Sequence, residues 1–111
     1  MTAASSTAPI SILVVDDAPA LVGAISALLT AADYLVHAAH DGVEAVEKFV
    51  AARPALVLLD LAMPGRDGLN VIHEIRTRGA TPVIVLTGET DESAKVDALD
   101  AGADDYVTKP F

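Results

Sequence analysis

The chain contains no cysteine, and its basic residues are few, with 7 lysines and arginines against 16 aspartates and glutamates. Without cysteine there is neither a disulfide framework nor a thiolate metal site, and we expect a cytoplasmic protein. The formal net charge of -9 repels nucleic-acid phosphates, so this segment is not expected to bind DNA itself. Any control of genes therefore requires a separate output domain.

Long apolar runs are absent as well. No stretch reaches the roughly 18 consecutive apolar residues of a membrane-spanning helix, so no membrane association is expected. Residues 1–9 are small, polar and rich in alanine, without the basic start and apolar stretch of a signal peptide, and we predict a flexible N-terminal tail. The remaining length suits one domain, 10–111, with a single core.

Short apolar runs alternate with amphipathic segments through that domain. The runs predict strands at 10–15, 35–39, 55–60, 83–86 and 104–108. Helical spacing predicts four helices between the strands. The predicted buried positions are Leu21, Ile25, Leu28 and Leu29 in the first helix, Val43, Val46, Phe49 and Val50 in the second, and Leu69, Ile72 and Ile75 in the third. The fourth helix is predicted over 92–101, with Gly102 as its C-terminal stop. Asp41 with Glu44 resembles a capping box at the second helix.

This alternation predicts the α/β class. Parallel strands joined by right-handed crossovers favour a flavodoxin-like, doubly wound five-stranded parallel sheet with the order 2-1-3-4-5. The switch point of that order lies between strands one and three, and ligands bind there at the carboxyl edge of the sheet.

Acidic residues end the two strands that flank this switch point. Asp16 and Asp17 follow the first apolar run, and Asp60 follows the third. Thr87 and Lys109 end the fourth and fifth runs in the same way. The topology therefore brings five polar groups to one rim. Taken alone, Asp16 and Asp17 are equally well explained as turn residues capping the helix that begins at Pro19.

Three carboxylates in one cleft either take up protons or bind a cation, because like charges at short range disfavour joint ionisation. Hard oxygen ligands select Mg²⁺, Mn²⁺ or Ca²⁺, and Mg²⁺ commonly combines one or two carboxylates with phosphate oxygens. A phosphoryl group at this site could accept a hydrogen bond from Thr87 and be neutralised by Lys109, while Asp60 could act as a nucleophile.

Four motifs now carry a family resemblance, and they are Val15-Asp16-Asp17, Leu59-Asp60-Leu61-Ala62-Met63-Pro64 with Asp67-Gly68, Leu86-Thr87-Gly88 and Lys109-Pro110-Phe111. Together they resemble the receiver domain of bacterial two-component response regulators. The run from Ala98 to Tyr106 is most similar to the OmpR/PhoB subfamily, whose members carry DNA-binding domains.

The resemblance implies specific roles. Asp60 would accept a phosphoryl group from the phosphohistidine of a sensor histidine kinase, with Mg²⁺ held by Asp16, Asp17, Asp60 and the backbone carbonyl of Ala62. Thr87 and Lys109 would assist the transfer, and Thr87 with Tyr106 would switch the surface of helix four and strand five. The chain would then catalyse only its own phosphorylation and dephosphorylation, and would not be an enzyme in the usual sense.

The family also predicts a fifth helix, which is apparently missing because the chain stops after strand five. We therefore expect a truncated receiver domain with an exposed apolar sheet face and a tendency to self-associate. A homodimer through helix four and strand five is a further possibility, with charges from Lys95, Asp100 and Asp104. A phosphorylation-independent interaction module, and a Mg²⁺-dependent phosphatase with an aspartyl nucleophile, are the alternatives from other classes.

Overall fold

The computed structural model describes residues 9–61, 67–88 and 92–108. Nearly all of the predicted tail, the carbonyl of Ala62 and the side chain of Lys109 lie outside these residues. Five strands alternate with four helices in the order β1 Ser11–Val15, α1 Pro19–Ala31, β2 Leu35–Ala39, α2 Gly42–Ala52, β3 Leu56–Asp60, α3 Asp67–Arg76, β4 Val83–Thr87, α4 Glu92–Ala101 and β5 Asp105–Thr108.

The strands form one parallel sheet in the order β2-β1-β3-β4-β5. This confirms the predicted flavodoxin-like topology and places β1 beside β3 at the switch point. Four predicted strand limits differ from the observed ones by one residue: β1, β3 and β5 begin one residue later, and β4 ends one residue later, at Thr87. None of the described helices is long and apolar enough to cross a bilayer.

The main core lies between the sheet and helices α2, α3 and α4. Its largest fully buried members are Leu13, Leu59, Ile72 and Ile75. Leu13 and Leu59 point from the strands toward the helices, and Ile72 and Ile75 lie on the buried face of α3. The opposite face of the sheet packs Ile12 and Val14 beneath α1. On the same face Leu58 of β3 and Ile84 of β4 are only half-buried, because α1, the helix described on this side, contacts mainly β1 and β2.

Two predicted helix faces are wrong in part. On α2, Val43 and Val50 are exposed, at 72% and 51%, whereas Ala45 and Phe49 are buried. The helix carries apolar residues on two flanks, and the flank with the small Ala45 lies against the core because it permits a closer approach. On α1, Leu28 is 72% exposed, about 120° around the helix from the buried Val22.

The start of α2 follows the predicted cap with one change of partner. Asp41 Oδ1 accepts the Glu44 N–H at 2.8 Å, as an N-cap should. The Glu44 carboxylate, however, accepts the N–H of His40 at 2.7 Å, one residue before the cap. That backbone hydrogen bond, more than the neighbouring Lys48, holds the pKa of Glu44 below its usual value.

The ends of α3 and α4 are joined by one arginine. Arg76 Nε donates to the Gly102 carbonyl at 2.9 Å, and its Nη2 lies 2.7 Å from Asp104 Oδ2. Gly102 has a φ of 117° and approaches Arg76 so closely that an added Cβ would lie 2.9 Å from Arg76 Cγ. Gly102 therefore ends α4, as predicted, and also makes room for this bridge.

Candidate functional site

Adjacent strands bring two buried aspartates to the same edge of the sheet. Val15 pairs with Leu59, so the next residues, Asp16 and Asp60, stand side by side at the carboxyl edge. Asp16 is 0% and Asp60 3% exposed, whereas Asp17 is exposed. The three side chains each offer an oxygen, and these oxygens all lie within 4.8 Å of one another.

This spacing is slightly wider than that of ligands around a hexacoordinate cation, so a small closing movement of the side chains would let them share one. Mg²⁺ binds oxygen at about 2.0–2.1 Å, so opposite ligands in its octahedron are about 4 Å apart. Two buried carboxylates and one exposed carboxylate supply negative charge on one side and leave an open side toward solvent. Such a donor set is typical of Mg²⁺, which keeps several waters and takes phosphate oxygens as further ligands.

Local hydrogen bonds fix the acidic loop after β1. The Asp16 N–H donates to the Ala39 carbonyl of β2 at 3.1 Å, which continues the ladder past the end of the strand. Asp16 Oδ1 in turn accepts the N–H of Ala18 at 2.9 Å. Ala18 is the N-cap of α1 and makes no side-chain cap bond, and Pro19 begins the helix. Asp16 therefore shapes the turn while remaining part of the carboxylate cluster.

Thr87 lies on the neighbouring strand, one position beyond the level of Asp60. Asp60 pairs with Leu86, and the Leu61 N–H donates to the Leu86 carbonyl at 3.0 Å, so β3 and β4 stay paired up to the site. The Thr87 side chain is 2% exposed, and its hydroxyl has no hydrogen-bond partner among the described residues. A buried hydroxyl without a partner is costly and is a common mark of a ligand position.

Tyr106 lies on the same side of the sheet as Thr87, but its ring is directed toward α4. Val85 pairs with Tyr106 and Thr87 with Thr108, so 85, 87 and 106 share one face. The ring is 38% exposed, and the ammonium group of Lys95 lies 5.1 Å from its centroid. The structure thus places Tyr106 beside the predicted switch threonine without bringing it into the acidic cluster.

The environment of Lys95 is the feature that the sequence interpretation missed. The sequence offers Lys95 as one of the charges of a dimer interface, and in the structure it is only 7% exposed. A signal was available: Lys95 precedes the buried Ala98 by three residues, and that spacing puts both on one face of the helix. Asp104, expected in the same interface, is engaged by Arg76 within the chain, whereas Asp100 is exposed.

Comparison with known proteins adds independent information. Residues 12–111 match the family model of the response regulator receiver domain. The chain is 43% identical over 100 residues to transcriptional regulatory protein ResD of Bacillus subtilis (strain 168), and the match covers 90% of this chain and 42% of that protein. It is 46% identical over 103 residues to response regulator MprA of Mycobacterium ulcerans (strain Agy99), with 92% and 44% covered.

A solved structure shares the fold. Vibrio cholerae chemotaxis protein CheY4 superposes with a TM-score of 0.87 at 33% identity, covering 94% of this chain and 89% of that one. The chain spans less than half the length of the curated relatives it matches. The similarity therefore concerns one domain of those longer regulators.

Proposed function

This chain belongs to the response regulator receiver domain family, and we propose that Asp60 is its phosphoacceptor, in a Mg²⁺-dependent reaction. The family membership and the OmpR/PhoB resemblance agree with the curated relatives, so the chain is a signalling domain of a two-component response regulator. The assignment of Asp60, Asp16, Asp17, Thr87 and Lys109 to individual steps is our proposal.

One observation carries this proposal. Three carboxylate oxygens lie within 4.8 Å of one another, and the neighbouring strand β4 ends at a buried threonine whose hydroxyl has no partner in the described part of the chain. The carboxylates can hold a cation, and the hydroxyl can donate to an oxygen of a group bound there. A phosphoryl group on Asp60 needs both of these interactions.

The chemistry of the transfer follows from these positions. An oxygen of the Asp60 carboxylate attacks the phosphorus of a phosphohistidine, the P–N bond breaks, and the released imidazole takes a proton from solvent. The product is an acyl phosphate on Asp60. Thr87 lies one position beyond the level of Asp60 on the neighbouring strand, close to where the acyl phosphate forms.

Mg²⁺ held by these carboxylates would neutralise charge on the phosphoryl oxygens and offset the repulsion among the carboxylates themselves. Asp17 and Asp60 are the proposed direct ligands, with the carbonyl of Ala62, and Asp16 is proposed to act through water. Lys109 is proposed to neutralise a phosphoryl oxygen. Hydrolysis of the acyl phosphate by the domain itself belongs to the same proposal, since the attack by water reuses the same charge stabilisation.

The partners follow from the family. Receiver domains interact with histidine kinases and with output domains. We propose a sensor histidine kinase as the phosphoryl donor, the cytoplasm as the compartment, and a DNA-binding output domain outside this acidic segment. A homodimer through α4 and β5 is also proposed, because Val96, Leu99 and Val107 are exposed there at 56%, 41% and 40%.

Intact-protein mass spectrometry tests the central proposal. The wild-type chain and Asp60→Asn are incubated with acetyl phosphate, with Mg²⁺ or with a chelator. We expect a gain of one phosphoryl group only in the wild type and only with Mg²⁺. No gain in a chain shown to be folded would favour the interaction module that acts without phosphorylation, and continuous release of phosphate from added phosphomonoesters would favour a phosphatase.

A further inference from the structure

A charged side chain is buried between α4 and β5. The Lys95 side chain is 9% exposed, and its Nζ lies 5.1 Å from the centre of the Tyr106 ring. It also lies 3.2 Å from Oε1 of Glu92, one turn earlier on the same helix. These are its charged and aromatic partners among the described residues.

The two partners are unequal. The Glu92 side chain is 78% exposed, and an ion pair with one member in water contributes little. An ammonium group removed from water is costly unless something on the protein side compensates for its lost hydration. The face of the Tyr106 ring provides that compensation, because an aromatic face attracts a cation within about 6 Å of its centroid, and more strongly when the pair is desolvated.

We propose that Lys95 is a positioning residue that holds the Tyr106 ring against α4 and so opposes its inward movement toward Thr87. This inference rests on the proposed function, in which Tyr106 and Thr87 form the switch. When the ring turns inward, Lys95 loses its aromatic partner. Lys95 therefore sets how far the unphosphorylated domain favours the outward ring.

The size of the effect follows from the range for a partly desolvated cation–π pair. Removing the ammonium charge is expected to raise the ratio of inward to outward ring about 5- to 30-fold in the absence of a phosphoryl donor. Lys95→Met keeps the length and apolar stem of the side chain. Lys95→Arg keeps the cation over the ring, and Glu92→Gln removes the ion pair but not the ring contact.

The contact itself is tested first, without metal or phosphoryl donor. By NMR, the Hε protons of Lys95 should be shifted upfield by the Tyr106 ring current in the wild type and in Glu92→Gln. The shift should vanish in Tyr106→Leu. Hε protons at random-coil positions in the folded wild type would overturn the proposal.

The restraint is tested next in chains labelled with [¹³C]tyrosine, with Tyr34→Phe used to assign the two tyrosines. Lys95→Met should move the averaged Tyr106 signals toward those of the phosphorylated domain, and Lys95→Arg and Glu92→Gln should stay near the wild type. Unchanged signals in Lys95→Met would refute the restraint. An equal shift in Glu92→Gln would refute it too, since the ion pair would then be the cause.

These measurements separate the restraint from the proposed function. If acetyl phosphate leaves Asp60 unmodified, the phosphoacceptor assignment fails, and the Tyr106 signals of Lys95→Met are then compared with those of the wild type, Lys95→Arg and Glu92→Gln. A Lys95→Met effect in that case supports the restraint alone. Normal phosphorylation with no ring-current shift supports the function and overturns the role of Lys95.

Discussion

Replacing Asp17 by asparagine should stabilise the metal-free domain. The oxygens of Asp17, Asp16 and Asp60 lie within 4.8 Å of one another, so Asp17 has two close like-charged neighbours. At this distance two unit charges repel by about 0.9 kcal/mol in a water-like dielectric and by about 3.5 kcal/mol at an effective dielectric constant of about 20. Asp17 is exposed, so the lower figure applies, and the sum over both neighbours is about 2 kcal/mol.

The assay is thermal or urea unfolding at low ionic strength with a chelator present. For a domain of this size, about 2 kcal/mol corresponds to a rise in Tm of about 8 °C. Asp97→Asn is the matched control, because Asp97 is an exposed residue of α4 and the net charge changes by the same amount. Added salt should reduce the difference between the two variants, since exposed charges are screened.

Added Mg²⁺ should make the wild type more stable than Asp17→Asn. The wild type gains stability from a ligand that binds only the folded state, whereas Asp17→Asn loses one ligand oxygen and gains less. If Asp17→Asn were no more stable than Asp97→Asn without divalent metal, the three carboxylates would not repel as their spacing requires. An equal response of both variants to Mg²⁺ would remove Asp17 from the proposed metal site.

Three further predictions concern the scaffold. Ile72→Ala should lower the free energy of unfolding by about 2–5 kcal/mol, and Leu28→Ala by well under 1 kcal/mol, because only Ile72 is buried; urea titrations of both variants test this. Gly102→Ala should lower the free energy of unfolding by about 1–3 kcal/mol in the same assay, because the φ of this residue is 117° and the new Cβ would lie 2.9 Å from a neighbouring side-chain atom. A variant as stable as the wild type would show that alanine is not strained at this position. The backbone hydrogen bond from His40 lowers the pKa of Glu44. The stability that this hydrogen bond contributes is therefore present above the unfolded-state pKa of 4.5 and is lost as the pH falls through the lower folded-state pKa. Glu44→Gln should be less stable than the wild type at neutral pH, and the difference in stability between the two chains should disappear in acid.

The sheet order was predictable from the alternation of apolar runs and helices, and the acidic edge from the residues that end those runs. A buried parallel strand reads as a continuous apolar run, and the first polar residue after it marks the carboxyl edge. Asp16 and Asp60 needed no side-chain detail to be placed together, since the switch point of this topology brings β1 and β3 side by side.

Helix rotation and the partners of single charges were harder to predict. On α2, Val43 and Ala45 both belong to apolar flanks, and only the fit of neighbouring layers decides which flank is buried. Lysine is a residue type usually found at the surface, and the aromatic partner of Lys95, Tyr106, lies eleven residues later in the chain, on β5. Pairings of this kind are set by tertiary contacts that no local pattern contains.

The residue that carries the phosphoryl group identifies the phosphoacceptor directly. After incubation with acetyl phosphate and Mg²⁺, reduction with borohydride converts an aspartyl phosphate to homoserine, which peptide mass spectrometry can locate. We predict homoserine at position 60 and at no other aspartate. Homoserine at position 16 or 17, or unmodified Asp60 in a folded and metal-loaded domain, would contradict the proposed phosphoacceptor.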